Sequence, residues 1–301
     1  MPGLADYLAF RRTLPPRAPR ERLTVQARGL DFAVWRTPAI PGTVPLLCIN
    51  GGLIFDHGVL WPALAPLAQH RQLIFYDQRG RGASSVPPGL AASRIAFDAA
   101  DVRALREAME IPQWDLLGHS WGGGIAMLAT AGDVEAVRRL VLVNSVGVTS
   151  RWLPPLHAAA LTRLTGEARD RLAALDPTEL HTPDLERHAA YTQAFFPAWF
   201  ADAAFAASIT TPKGTSHTGA AVVARLRREG YDWEAQLRGL PTPTLVVHGA
   251  ADLLPLAEAE ATVATLGNAT VRALDGAGHN PFWEAPAPFF ETVAGFLAAD
   301  D

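Results

Sequence analysis

The 301-residue chain holds one cysteine, Cys48, inside the apolar run Val44–Ile49. A lone thiol forms no disulfide within the chain, and a thiol in a buried strand is inert. This favours a reducing compartment, so the expected location is cytoplasmic. Charge excess is also missing. The formal net charge is −4, which gives no electrostatic case for nucleic acid or an acidic membrane surface. No apolar run reaches the ~18–20 residues of a membrane span. The start, Met1-Pro2-Gly3-Leu4-Ala5-Asp6, lacks the basic-then-apolar pattern of a secretory signal. Arg11–Arg22 is rich in Arg and Pro, but Asp6 and Glu21 argue for a solvated connector over a transit peptide. Gly-Lys-Ser/Thr is absent, which excludes a phosphate loop. The segment Asp77–Ser85 has Ser85 where a dinucleotide fingerprint needs its third glycine. Its charges are expected to tie the turn to neighbouring loops. His57, His157, His181, His188 and His217 show no metal-ligand spacing, so neither a metal nor a cofactor is expected.

What is present is an alternation of strand and helix patterns. Residues 4–12 read as a short amphipathic helix, followed by the Pro-rich link Pro15–Pro19. Leu23–Ala27 and Phe32–Trp35 read as strands joined at Gly29 in a hairpin. Further strands are predicted at Val44–Ile49, Leu73–Tyr76, Trp114–Leu117, Leu140–Val143, Thr244–Val247 and Val271–Leu274. Helices are predicted at Leu60–Ala68, Phe97–Met109, Trp121–Ala131 and Pro288–Ala298. Continuous apolar strands between helices imply an α/β fold whose parallel sheet is covered on both faces. Residues 147–239 break the pattern. They are Ala-rich and carry Trp152, Tyr191, Phe195, Phe196, Trp199 and Phe200, without an apolar strand. This predicts a helical cap inserted into a core of residues 1–146 and 240–301. Such a cap would lie over the C-terminal strand edge, where ligands bind in open sheets. Most of its aromatics would form its own core, with one or two facing the cleft.

The most informative stretch is Gly118-His119-Ser120-Trp121-Gly122, between a predicted strand and a predicted helix. It has the form of a nucleophile elbow, with small residues two before and two after the Ser. The plain alternative is a glycine-rich turn with a capping Ser. A Ser hydroxyl is a weak nucleophile and needs a base, which an acid must orient. After the elbow the expected order is acid, then His. Thr244–Val247 leads into His248-Gly249-Ala250-Ala251-Asp252, and Val271–Leu274 into Asp275-Gly276-Ala277-Gly278-His279. Ser120, Asp252 and His279 therefore converge from three strand ends. Asp275 is the weaker acid candidate, being too close in sequence to His279. His119 reads as elbow packing, His248 as a brace for the Asp252 loop, and Glu284 as an anchor for the final helix. Oxyanion donors are expected from the Trp121 N–H and from the loop Asn50-Gly51-Gly52-Leu53, with Gly52 favoured and Gly51 beside it. An ordinary Gly-Gly turn is the alternative there.

On these residues the chain resembles the α/β-hydrolase superfamily, and within it the proline iminopeptidase-like branch of serine peptidases. Asp77-Gln78-Arg79-Gly80-x-Gly82, Ser120-Trp121-Gly122-Gly123 and Gly51-Gly52 are similar to that branch's motifs. The departures are Asn50 in place of its loop His and Leu53-Ile54 in place of Pro-Gly. The resemblance implies cap carboxylates that hold a free amine, yet Glu167, Glu179, Glu186 and Glu229 fall in no alignable motif, and Lys213–His217 is basic or neutral. The expectation is a serine hydrolase cleaving an amide or ester of a small molecule or short peptide, with an N-terminal prolyl bond as the first reading. A carboxylesterase or lactonase for an apolar acyl group is the second. A non-catalytic ligand binder on the same scaffold is the third. Oligomeric state is not legible.

Overall fold

Strands that are apolar at every position can be satisfied only in a sheet buried on both faces. The computed structural model describes residues 4–13 and 20–299. The link Pro15–Pro19 lies outside the described residues. Eight strands form one sheet: β1 (Glu21–Ala27), β2 (Leu30–Arg36), β3 (Leu46–Ile49), β4 (Leu73–Tyr76), β5 (Trp114–His119), β6 (Val137–Val143), β7 (Thr244–Gly249) and β8 (Ala269–Leu274). Their order is β1-β2-β4-β3-β5-β6-β7-β8. β1 and β2 form an antiparallel hairpin, and β2 meets β4 antiparallel. Every later neighbour pair is parallel. The hairpin turns through Arg28 and Gly29, at φ 50° and 75°, the paired positive φ of a two-residue turn that matches strand twist.

The twofold alternation of the strands divides the core. The helix expected at residues 4–12 is α1 (Leu4–Thr13). Leu47, Ile49, Leu116, Leu140 and Leu142 face one cluster, which α2 (Ile95–Ala108) and α3 (Trp121–Gly132) cover. Leu46, Cys48, Leu117, Val141 and Val143 face the other. That side is closed by Phe289, Val293 and Leu297 on the last helix, Pro286–Ala298. The predicted helix Leu60–Ala68 does not form: residues 60–64 are turns and a 3-10 turn spans Ala65–Gln69, with another 3-10 turn, His57–Val59, just ahead of it. Pro62 and Pro66 supply no N–H to an α-helical ladder there.

Between β6 and β7 lie α4 (Leu156–Arg163), α5 (Gly166–Ala173), α6 (Leu185–Phe195), α7 (Ala203–Ser208), α8 (His217–Glu229) and α9 (Glu234–Leu237). The only extended pairing of the described residues in this stretch is a bridge from Thr149 to Asp232. These helices meet the C-terminal edge of the sheet. His279 N donates to Trp199 O at 2.8 Å, and Ser216 Oγ donates to Gly80 O at 2.5 Å.

The charged turn after β4 is tied to α2 by buried ion pairs. Arg79 grips Asp101 through two nitrogens, and Arg28 adds a third contact to the same carboxylate. Arg81 pairs with Asp98 at 2.8 Å, and its Nε donates to Leu53 O at 2.9 Å. Removing one member leaves the other charge buried and alone, which costs about 3–5 kcal/mol. Asp101→Ala is therefore expected to lower the unfolding free energy in urea by about 3–5 kcal/mol. A loss under about 1 kcal/mol, the scale of an exposed pair, would show that Arg79 does not depend on this partner.

Candidate active site

Ser120 sits between β5 and α3 at φ 56° and ψ −123°, a backbone region that a side chain enters only under strain. Three hydrogen bonds hold it there: Ser120 N donates to Val143 O at 3.0 Å, while Gly123 N and Val146 N donate to Ser120 O at 3.0 and 3.2 Å. The turn is too tight for substituents. A Cβ on Gly122 would lie 2.2 Å from Ile49 O, and one on Gly51 would lie 2.5 Å from Ser120 Cβ. The Ser120 Oγ makes no hydrogen bond among the described residues and opens into a cavity of about 170 Å³.

His279 and Asp252 arrive on the loops after β8 and β7. His279 Nδ1 lies 2.9 and 3.1 Å from the two Asp252 oxygens. The Asp252 side chain is fully buried. Burial alone would raise its carboxyl pKa. Its contacts with His279, the nearby His248 and Asn144 outweigh that and hold it below the ordinary value. The His279 ring lies against Trp199 at 4.0 Å between centroids, and His279 O accepts from His119 Nε2 at 2.9 Å. Burial first, then the charge of His279, depresses His119 to about 3, so its ring stays neutral. The neutral His119 ring thus links the elbow to the histidine loop. His248 Nε2 donates to Leu254 O at 2.9 Å and closes the loop that carries Asp252. Asp275 is exposed.

Ser120, Trp121, Gly51, Gly52 and His279 all line the cavity, and Asp252 lies behind His279. Trp121 is the first residue of α3, so its N–H has no acceptor within the helix. Gly52 adopts φ 79° and Leu53 φ 59°. Asn50, buried beneath this loop, donates from Nδ2 to Gly51 O at 3.0 Å and Phe55 O at 3.2 Å. It thus holds the loop from within. This arrangement suits proton transfer from a hydroxyl to an imidazole beside two or more backbone donors.

Asn144 escapes sequence reasoning, and Glu284 and Trp199, both named there, support the site in ways it did not assign. Asn144, at φ 43° at the end of β6, donates from Nδ2 to Asp252 Oδ2 at 2.7 Å and Gly278 O at 3.1 Å. The available signal was a polar residue directly after an apolar strand on the elbow's edge. Glu284 accepts from Ala201 N at 2.7 Å and Asn280 N at 3.1 Å. It therefore joins the helical insertion to the histidine loop as well as standing in the short helix Pro281–Glu284.

Among the described residues, the fold also gathers Asp56, His57 and Asp77, with potential ligand atoms within 4.8 Å of one another. Sequence spacing does not reveal this group. Its atoms are engaged internally. His57 Nδ1 meets Asp77 Oδ1 at 2.8 Å, His57 Nε2 meets Arg20 at 2.9 Å, and Asp77 Oδ2 accepts from Ala83 N at 2.7 Å. The cluster is a hydrogen-bonded brace.

The carboxylates of the helical insertion lie elsewhere. No Asp or Glu of the described residues lines the cavity. Glu179 pairs with Arg187, Glu167 with Arg171 and Glu229 with Arg225, all at the surface. Glu186 lines a separate recess with Glu179.

Residues 44–286 match the family described as alpha/beta hydrolase fold. The chain belongs to the α/β hydrolase family, and it is a hydrolase of that type. It is 28% identical over 285 residues to a proline iminopeptidase of Levilactobacillus brevis, covering 85% of this chain and 89% of that protein. It is 31% identical over 260 residues to a 2-hydroxymuconate semialdehyde hydrolase of a Pseudomonas species, covering 85% and 88%. The fold is shared with the proline iminopeptidase of Mycobacterium smegmatis, at TM-score 0.70 and 21% identity over 92% of this chain and 97% of that one. It is also shared with the enol-lactonase of Burkholderia xenovorans LB400, at TM-score 0.69 and 21% identity over 92% and 100%. The resemblance to the proline iminopeptidase-like branch holds at this level. Among the described residues no helix is long and apolar enough to cross a membrane.

Burial, opposed by backbone N–H donors and reinforced by the Asp252 charge, raises Glu284 to about 7 from an ordinary 4.5. The folded state therefore binds this proton more tightly than the unfolded state. Its stabilising effect is complete below about 4.5 and is lost as pH rises to about 7. Urea unfolding of the native protein and Glu284→Gln across this range is expected to show the native advantage shrinking as pH rises. A pH-independent difference would contradict the raised carboxyl.

Proposed function

We propose that the protein is a serine hydrolase that cleaves an ester or amide of an apolar acyl group through an acyl-enzyme. The observation that carries this reading is the shared cavity. An unbonded Ser120 Oγ opens into it beside His279, whose Nδ1 is fixed on a buried Asp252. His279 Nε2 takes the Ser120 proton as Oγ attacks the carbonyl carbon. The carbonyl oxygen becomes an oxyanion facing the Trp121 and Gly52 N–H groups, with Gly51 packed behind. Asp252 holds the imidazole tautomer and offsets the imidazolium charge. The tetrahedral intermediate then collapses, and His279 returns the proton to the leaving oxygen or nitrogen. Water, deprotonated by His279, attacks the acyl-enzyme and releases acid and Ser120.

In this reading residues 147–239 act as a cap over the core of residues 1–146 and 240–301. They supply the apolar wall through Leu156, Tyr191, Phe195 and Leu226. The single cysteine, Cys48, which leaves no disulfide within the chain, supports a cytoplasmic setting. The second reading is an aminopeptidase for N-terminal prolyl bonds. The names of the proline iminopeptidase relatives favour it. Among the described residues no carboxylate lines the cavity, which disfavours it, since a desolvated ammonium needs a counter-charge.

Ser120→Ala is expected to lower turnover by about 10⁶-fold, by analogy with a measured serine protease, and to abolish fluorophosphonate labelling. Retention of a tenth of the native rate would exclude Ser120 as nucleophile. Initial rates on a proline arylamide with a free amine, its N-acetyl form and a short-chain aryl ester separate the readings. Ester preference with both amides poor is the expected outcome. Strong preference for the free amine would establish the aminopeptidase.

A further inference from the structure

The cavity holds one cation and, among the described residues, no carboxylate. Among the described residues, Arg227 on α8 is the one Lys or Arg side chain lining it, and no carboxylate lines it. The neighbouring arginines of the helix are engaged outside. Arg225 pairs with Glu229 at 3.1 Å, and Arg228 donates to His181 O at 2.6 Å. Arg227 forms no ion pair among the described residues. Its guanidinium carbon stands 5.4 Å from the centroid of the Tyr191 ring, its side chain also hydrogen-bonds the neutral Tyr191 side chain, and its buried Nε has no hydrogen-bond partner. Asp176 and Asp184, the acids that act on the adjacent His157 and His188, are exposed and cap their own turns. His157 and His188 add no counter-charge. His157 Nδ1 meets the Tyr191 hydroxyl at 2.9 Å, and His188 Nε2 donates to Thr182 O at 2.8 Å.

A guanidinium without a counter-charge beside apolar side chains is costly, and a buried N–H left unmade costs further. A ligand carboxylate removes both costs, because the planar fork of Arg matches its two oxygens. We propose that Arg227 binds a carboxylate on the acyl part of the substrate, remote from the bond that Ser120 attacks. The substrate class is then an ester or amide of an acid that carries a second, distal carboxylate across an apolar chain. This rests on the hydrolase reading above for the position of the scissile bond. The binding of the distal anion does not depend on it. The same cation opposes the entry of an amine, in keeping with the missing cap carboxylate.

The test separates the two readings by measuring binding without turnover. 8-Oxononanoate and 2-nonanone share a methyl ketone that cannot be hydrolysed, and only the first carries a distal carboxylate. Titration followed by cavity tryptophan fluorescence is expected to show the oxo acid binding about tenfold to a hundredfold tighter, the worth of a charged hydrogen bond. Arg227→Met is expected to erase that preference, and Arg227→Lys to retain part of it. Equal affinities in the native protein, or a preference that survives Arg227→Met, would overturn the proposal. 2-Nonanone binding by each variant reports that its cavity is intact. In turnover, the ratio of kcat/KM for mono-4-nitrophenyl suberate to that for 4-nitrophenyl octanoate is expected to fall at least tenfold in Arg227→Met. If Ser120→Ala keeps its activity while the oxo-acid preference still depends on Arg227, the nucleophile is wrong and the anion site stands.

Discussion

The buried carboxylate of Asp252 is the interaction around which the site is built. A charge out of contact with water is tolerated only when it is paired and hydrogen-bonded. His279 and Asn144 meet that requirement directly, at 2.9 and 2.7 Å from the same oxygen. Each partner belongs to a different loop at the sheet edge, so satisfying one charge aligns the ends of β6, β7 and β8. Asn144 also accepts from Gly249 N at 3.3 Å and donates to Gly278 O. The same requirement orients the imidazole. With Nδ1 turned to Asp252, His279 can present only Nε2 elsewhere, and its stacking on Trp199 fixes the ring plane. The helical insertion is thereby part of the histidine's support. Arg163 extends that link, donating to Ala251 O at 2.6 Å and Ala198 O at 3.1 Å.

A second network places the facing wall. Arg81 and Arg79 secure the turn after β4 to α2, and Arg81 reaches Leu53 O in the loop after β3. Gln78 Nε2 donates to Asn50 O at 2.7 Å. The loop with Gly51 and Gly52 is thus held by two side chains of the turn after β4 and does not rely on its own glycine-rich chain for order. Preorganised donors favour developing charge because they need not reorient as it forms.

The parts of this architecture that were legible in the sequence share one property: their signals are local. Apolar runs mark the central strands, and glycines flanking Ser120 mark a turn where chain segments nearly touch. Asp252 and His279 follow such strands within a few residues. The misread segment, Leu60–Ala68, carried helical spacing but also two prolines that remove helix donors. Asn144, Glu284 and Trp199 were illegible as site residues because their significance is tertiary. Asn144 lies 108 residues from Asp252, and no spacing rule connects them. The Asp56, His57 and Asp77 group was hidden for the same reason, since it forms only when the turn after β4 packs beside the loop after β3.

Likeness in sequence and difference in chemistry meet in the helical insertion. The core motifs resemble those of proline iminopeptidases, whereas the cavity wall is apolar apart from neutral polar groups, histidines and Arg227. A scaffold positions a carbonyl for attack whatever chain carries it, and the wall decides which chain enters. An ammonium brought into this cavity would lose its hydration and meet a cation instead of an anion. A carboxylate would lose its hydration too, but would meet a guanidinium that has no carboxylate partner among the described residues. Because both losses are of similar kind, the sign of the charge at Arg227 decides between them. That preference is set by one side chain on α8, remote in sequence from every motif that marks the hydrolase core.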